Sequence, residues 1–416
     1  MPKWFDAVVV GAGCFGSWTA LHLRRRGLRV ALLDAYGPAH SRASSGGESR
    51  IIRMGYGPNE VYTRFSMRAL REWQELFAMT GELSGPAPPL FNRTGVLWFA
   101  QDSDRAPDSY LAQTLAAFRR LGVPHQTFSR PELLRMYPQV HMDERITWGL
   151  LEPESGVLMA RRAVAAVVDQ AVREGVEYRQ AAVVPPAAGP QMTRLKEVQT
   201  TEGQSISLAT NSDTGSGGES AATRKPGGGV VVFACGPWLP KLFPDLLGSR
   251  IFNTRQEVYF FGVPAGDPRF GPPIMPTWID LGEEAYGMPD LESRGFKVAM
   301  DRHGPAFDPD SGSRLPTPEG ISKARQYLAE RFPASADAPV VETRVCQYEN
   351  TSNGDFLLDR HPALQNVWLA GGGSGHGFKH GPAVGAYLAS QILDGGPPEP
   401  RFSIQTKQNV QNRAIF

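Results

Sequence analysis

Cysteine is scarce in this sequence: Cys14, Cys235 and Cys346 are the whole supply in 416 residues. Three thiols so widely scattered make neither a disulfide framework nor a four-thiolate metal site, and they fit a reducing compartment. A charge excess is missing too, since 43 basic side chains stand against 42 acidic ones for a net charge of +1. No field of one sign advertises nucleic acid or an anionic membrane surface. No uninterrupted apolar run reaches the roughly 18 residues that cross a bilayer. The early run VVVGAG is broken by glycines and unlike a charged leader with a long apolar core. These absences predict a cytoplasmic protein with no membrane or nucleic-acid partner, long enough for two domains.

What is present begins with FDAVVVGAGCFGSWTALHLRRRGLRVALLDAYG, which reads as strand, glycine turn, helix and strand. Gly11, Gly13 and Gly16 form GxGxxG, a helix is predicted over 17–26, Gly27 stops it, and 30–33 is the next strand. The glycines serve a tight turn, a close approach to pyrophosphate and close helix–strand packing, while the helix N-terminus faces the phosphates. Asp34 falls 18 residues after Gly16, where a carboxylate accepts ribose hydroxyls. The unit binds a dinucleotide without choosing between NAD and FAD.

A serine- and glycine-rich loop over 38–57 leads into Arg50 and Arg53. A helix is predicted over 62–77, with Trp73 and Leu76 on its apolar face. Short strands start at 91–100, so a second layer begins near residue 86. The stretch 149–178 turns helical from Met159 and returns to the dinucleotide unit. Residues 211–229 have the composition of a flexible insertion, interrupting an expected hairpin between SISLA and VVVFACGPW. Alternating strands over 252–298 fit an antiparallel sheet. Near the end, strand 367–370 runs into a glycine-rich loop and a helix from about 381 to 393. Two glycine loops so far apart suit one long ligand, and FAD is long enough. His376 and His380 have no acidic or cysteine partner at ligand spacing, so no metal is expected.

The chain resembles the monomeric sarcosine oxidase family, within the D-amino-acid-oxidase-like flavoproteins, through GAGCFG, SSGGESRIIRMGYG, EPESGVL, ACGPW, AYGMP with FKVAM, RVCQYENTSNGDFLLDRHP and GGGSGHGFKHGPAVG. The resemblance implies an α/β protein: a Rossmann-type FAD-binding domain (1–85, 149–242, 341–400) interleaved with a mainly antiparallel-sheet substrate domain (86–148, 243–340), then a tail at 401–416. It implies FAD joined covalently to Cys346, with Arg344 as a neighbour suited to lowering the thiol pKa. FAD contacts are implied for Gly11, Gly13, Gly16, Asp34, Ser45, Ser49 and Arg50, and for Gly373, Gly375, His376, Gly377, Phe378 and Lys379. Arg53 and Lys379 resemble the cations that grip a substrate carboxylate. Lys297 resembles the lysine where oxygen is reduced, Arg50 a cation at the flavin ring, and Tyr286 and Tyr348 pocket aromatics.

The sequence departs from that family in Ser44-Ser45-Gly46, around Pro276-Thr277-Trp278, and at Asp301, where sarcosine oxidases carry histidine. Trp278 is expected to offer substrate a flat surface, and Asp301 to favour a cationic or hydroxyl-rich group. The expected function is oxidation of a secondary-amine amino acid by FAD and oxygen, giving an imine and hydrogen peroxide. A primary-amine D-amino acid or glycine oxidase, and a flavin amine dehydrogenase with another acceptor, are the alternatives.

Overall fold

Unbroken runs of valine and leucine form buried strands in the computed structural model, which describes residues 4–81, 87–186, 192–210 and 228–411. The insertion expected at 211–229 lies outside these apart from Gly228 and Gly229, as do the boundary at 86 and the last residues of the tail. Ala7–Val10 is buried on both faces, as a strand inside a parallel sheet must be. It pairs in parallel with Val30–Asp34 on one side and Val230–Phe233 on the other. Glu177–Gln180, Val367–Gly371 and the antiparallel Leu357–Arg360 complete a six-stranded sheet.

The helix after the glycine turn spans Cys14–Arg25, starting earlier than the predicted 17 because the Gly13 carbonyl already accepts the Ser17 N–H at 2.9 Å. Gly11 has φ +104°, and a Cβ there would lie 2.3 Å from the Ala234 carbonyl oxygen. The chain can therefore pass this close to the neighbouring strand's end only without a side chain. Helix Gly381–Asp394 crosses the first helix almost backbone to backbone, since a Cβ on Gly385 would meet the Trp18 carbonyl carbon at 2.6 Å. That crossing draws the two glycine loops together, and the Cys14 thiol donates to the Phe378 carbonyl at 3.0 Å.

The second sheet has eight strands, in the order Val340–Thr351, Ile251–Phe261, Phe296–Met300, Ala285–Met288, Thr277–Asp280, Val96–Ala100, Trp148–Glu152 and Gln126–Ser129. All pairs are antiparallel except Thr277–Asp280 with Val96–Ala100. Trp148–Glu152 and Val340–Thr351 thus belong to this sheet, whereas the expected boundaries assigned nearly all of both to the FAD-binding domain. The hairpin expected between SISLA and VVVFACGPW does not form. Ser205–Ser207 pairs with Glu197–Gln199, while Val230–Phe233 is held between two parallel partners in the other sheet.

Side chains alternate between the faces of the eight-stranded sheet. One face carries Tyr259, Phe261, Trp278, Phe296 and Val298 into a buried apolar core. Register places Tyr286, Lys297, Arg344, Cys346 and Tyr348 on the other face. A short sheet lays strand Arg50–Ile52 beside Gly156–Leu158 and so supplies Arg50 to that second face. Among the described residues, no helix is long and apolar enough to cross a membrane.

Candidate functional site

A cavity of about 520 Å³ is walled by Gly11 and Gly13 of the glycine turn, Asp34 at a strand end of the first sheet, Ser45 of the loop, Arg50 of the short strand, Cys346 and Tyr348 of the second sheet, and Gly373, Gly375, Gly377 and Phe378 of the late loop. The first helix begins against it at Gly13 with no side-chain cap, leaving backbone N–H groups suited to an anion. Asp34 accepts the Ala12 N–H at 2.7 Å and those of Tyr36 and Gly37 at 2.9 and 3.0 Å, which fixes its carboxylate at the strand end. Gly16 stands behind this turn, and its Cβ would lie 1.8 Å from the Gly11 oxygen. A helix N-terminus, a held carboxylate and a glycine-lined flank fit a dinucleotide.

Arg50 reaches the far strand. Its guanidinium donates to the carbonyls of Ser49 and Ser44, both at 2.9 Å, and to Cys346 Sγ at 3.2 Å. The cation in contact with the thiol is therefore Arg50; Arg344, expected in that role, instead bonds the Gly46 carbonyl. Lys297 Nζ lies behind, donating to the Ser49 carbonyl at 2.9 Å and to its hydroxyl at 3.3 Å. Burial, and then the Arg50 charge, push Lys297 well below the usual lysine range. Tyr348 donates to Asp301 at 3.1 Å and is linked to Tyr286. Burial and the Asp301 charge lift the Tyr286 phenol to about 12, so it stays protonated.

Arg53 and Lys379 are brought together at Tyr56. The Arg53 guanidinium carbon lies 4.5 Å from the centre of that ring, and Lys379 donates to its hydroxyl at 2.8 Å. The same hydroxyl is 2.8 Å from His380 Nε2 and 3.4 Å from His376 Nδ1. Burial and the Lys379 charge lower His380 well below its ordinary range, favouring the neutral ring. His376 also contacts the Gly354 carbonyl at 3.0 Å and stacks on Phe356, so its ring turns toward this cluster. Glu152 accepts the N–H groups of Met54 and Gly55 beside Arg53.

Trp278 does not join these residues. It stacks on Phe296 at 4.5 Å and donates to Tyr327 at 3.2 Å in the apolar core on the opposite sheet face. The expected flat surface toward substrate is a packing residue, because its strand position points it away.

Sequence reasoning missed Tyr56, Glu152 and Glu349, and weighed His380 only as a metal ligand. Tyr56, Glu152 and His380 lie inside motifs quoted above, but nothing in the spacing says that they converge. Glu349 had a signal of its own: the one acid among the amide and hydroxyl side chains after Cys346 in a long strand. It lines the cavity, and burial lifts its carboxyl to about 7 against the N–H groups of Gly373 and Gly372.

A family described as FAD dependent oxidoreductase matches residues 6–391. The chain is 30% identical over 412 residues to a monomeric sarcosine oxidase of Streptomyces avermitilis, covering 96% of each chain. It is 25% identical to an N-methyl-L-tryptophan oxidase of Salmonella arizonae, covering 94% of this chain and 96% of that one. Among solved structures, L-proline dehydrogenase from P. horikoshii matches with TM-score 0.78 at 20% identity, over 97% and 98% of the two chains. That last likeness speaks for the fold alone.

Proposed function

We propose, for a chain that belongs to the FAD dependent oxidoreductase family, the oxidation of an amino acid whose amine is secondary, either N-methylated or cyclic, to an imine with release of hydrogen peroxide. When bound, FAD supplies the two-electron acceptor that takes a hydride equivalent from the carbon beside the amine and returns the electrons to oxygen. The observation that carries the reading is one sheet face presenting Lys297, Tyr286, Cys346 and Tyr348 together, with Arg50 in contact with the cysteine.

In this reading Cys346 is the covalent anchor for FAD, and Arg50 is the permanent cation beside it. Lys297, held by Ser49, supplies a second charge where oxygen is reduced. Arg53 and Lys379 concentrate positive charge beside Tyr56, on which a substrate carboxylate seats with the C–H bond oriented. Tyr286 and Tyr348 stay protonated and line the amine's surroundings without acting as bases. Asp301, at the Tyr348 hydroxyl, favours a substrate with a cationic or hydroxyl-rich side chain and weighs against sarcosine itself. The relatives named monomeric sarcosine oxidase support a monomer, and free cysteines fit a reducing cytoplasm.

The test is peroxide release in air from N-methyl and cyclic amino acids, compared with glycine and primary-amine D-amino acids. Faster turnover of the primary amines would replace this reading with the D-amino acid or glycine oxidase. Flavin bleaching under nitrogen without peroxide in air, but with reduction of an added dye, would replace it with a dehydrogenase. Flavin fluorescence in the denatured protein band, lost in Cys346→Ser, tests the anchor separately.

A further inference from the structure

Glu349 follows Tyr348 on Val340–Thr351, the outermost strand of the eight-stranded sheet, and its side chain reaches the same cavity. The residue is 7% exposed. Its Oε1 accepts the Gly373 N–H at 3.2 Å, whereas Oε2 has no hydrogen-bond partner among the described residues. Three glycines stand close to it. A Cβ on Gly371 would lie 3.3 Å from Oε2, one on Gly236 would lie 3.9 Å from it, and one on Gly373 would lie 3.5 Å from Oε1. A buried carboxyl oxygen with no partner is unfavourable, and a ligand in the cavity that Glu349 lines can supply one.

We propose that Glu349 is a cofactor-binding residue whose Oε2 hydrogen-bonds a hydroxyl of the polyol chain joining the flavin ring to the pyrophosphate of FAD; this rests on the reading that FAD fills the cavity. Position supports the polyol. On one side Glu349 adjoins Tyr348, which shares the flavin wall with Cys346 and Arg50. On the other, Oε2 lies 3.9 Å from where a Cβ on Gly236 would sit, just past the strand Val230–Phe233 that pairs with Ala7–Val10 before the glycine turn.

Chemistry supports it as well. With its carboxyl lifted to about 7 by burial, Glu349 is present in both protonation states near neutrality. A hydroxyl suits both, donating to the carboxylate and accepting from the acid. A phosphate suits only the acid form, because it repels the carboxylate.

The experiment uses the Cys346→Ser full-length protein, in which FAD exchanges freely, and follows binding by flavin fluorescence. FAD is compared with three analogues, each lacking one of the three polyol hydroxyls. One analogue is expected to bind about tenfold more weakly than FAD. In the added Glu349→Leu variant, FAD and that analogue are expected to bind within about twofold of each other. Glu349→Gln, which keeps both hydrogen-bonding roles, retains most of the discrimination.

Equal binding of FAD and all three analogues before Glu349 is changed would overturn the proposal, even if the leucine variant fails to fold. Unchanged discrimination in Glu349→Leu would overturn it too. In both cases FAD still binds, so the occupant reading stands. Failure of the Glu349-bearing protein to bind FAD would overturn both.

Discussion

Arg50 Nη2 lies 3.2 Å from Cys346 Sγ although 296 residues separate the two in the chain. The contact joins a loop edge to the outer strand of the second sheet, and three donated hydrogen bonds hold the guanidinium there. Arg50→Lys keeps the charge but not the planar fork that satisfies all three partners. On the proposal that Cys346 anchors FAD, covalent incorporation is expected to slow by about tenfold or more. Flavin fluorescence of the denatured band, followed over time after FAD is added, measures it.

Lys297→Met removes a buried charge placed behind Arg50. Reoxidation of the reduced protein by oxygen is expected to slow by roughly 10²-fold or more, while anaerobic reduction by substrate changes far less. Stopped-flow spectroscopy separates the two steps. Because Lys297 titrates well below the usual lysine range, its charge is lost as pH rises through that lowered value. The oxygen rate of the parent therefore falls with pH there, and that of the variant stays flat.

Gly385→Val places a side chain against the backbone of Trp18, where even a Cβ would be 2.6 Å from a carbonyl carbon. Two helices would have to separate, at a cost of about 2–3 kcal/mol. Gly395→Ala is the control. It has φ +65° and nothing within 4 Å of a Cβ, so the cost is about 1 kcal/mol from the backbone alone. Denaturant midpoints of both variants give the comparison.

Lys407 is 3% exposed, donates to the Arg401 carbonyl at 2.6 Å, and is brought down to about 8 by burial, against the pull of Asp355 and Asp359. The unfolded chain holds this proton up to about pH 10.4. Between about pH 8 and 10.4 the unfolded state binds more protons, so stability from this group rises with pH. The parent is expected to gain about 3 kcal/mol on Lys407→Met across that window. Unfolding free energies of both proteins between pH 7 and 10.5 test the slope.

The dinucleotide half was legible because its signals are local: strand, glycine turn, helix and acid follow each other within 34 residues. Cys346, Tyr348, Lys297 and Tyr286 came from resemblance, and the register puts all four on one face. Trp278 was misread for a simple reason. A strand residue changes face with every single position, and a turn of uncertain length erases the parity that relates one strand to the next. Arg53 and Lys379 came from resemblance, but Tyr56, Glu152 and His380 beside them were invisible, because residues 53–56, 152 and 376–380 meet only through the packing of three elements. Arg50 displaced Arg344 beside the thiol because adjacency in sequence favours the nearer residue, whereas the fold brings in the remote one.

The walls of the cavity come from Gly11 and Arg50 at one end of the chain and from Cys346 and Gly377 near the other. During synthesis, the phosphate turn emerges first and waits for the last glycine loop before the chamber can close. Cofactor capture thereby waits on the late loop: a product truncated before residues 373–378 carries the dinucleotide motif yet lacks part of the cavity wall. The stabilisation that bound flavin would give is denied to such fragments.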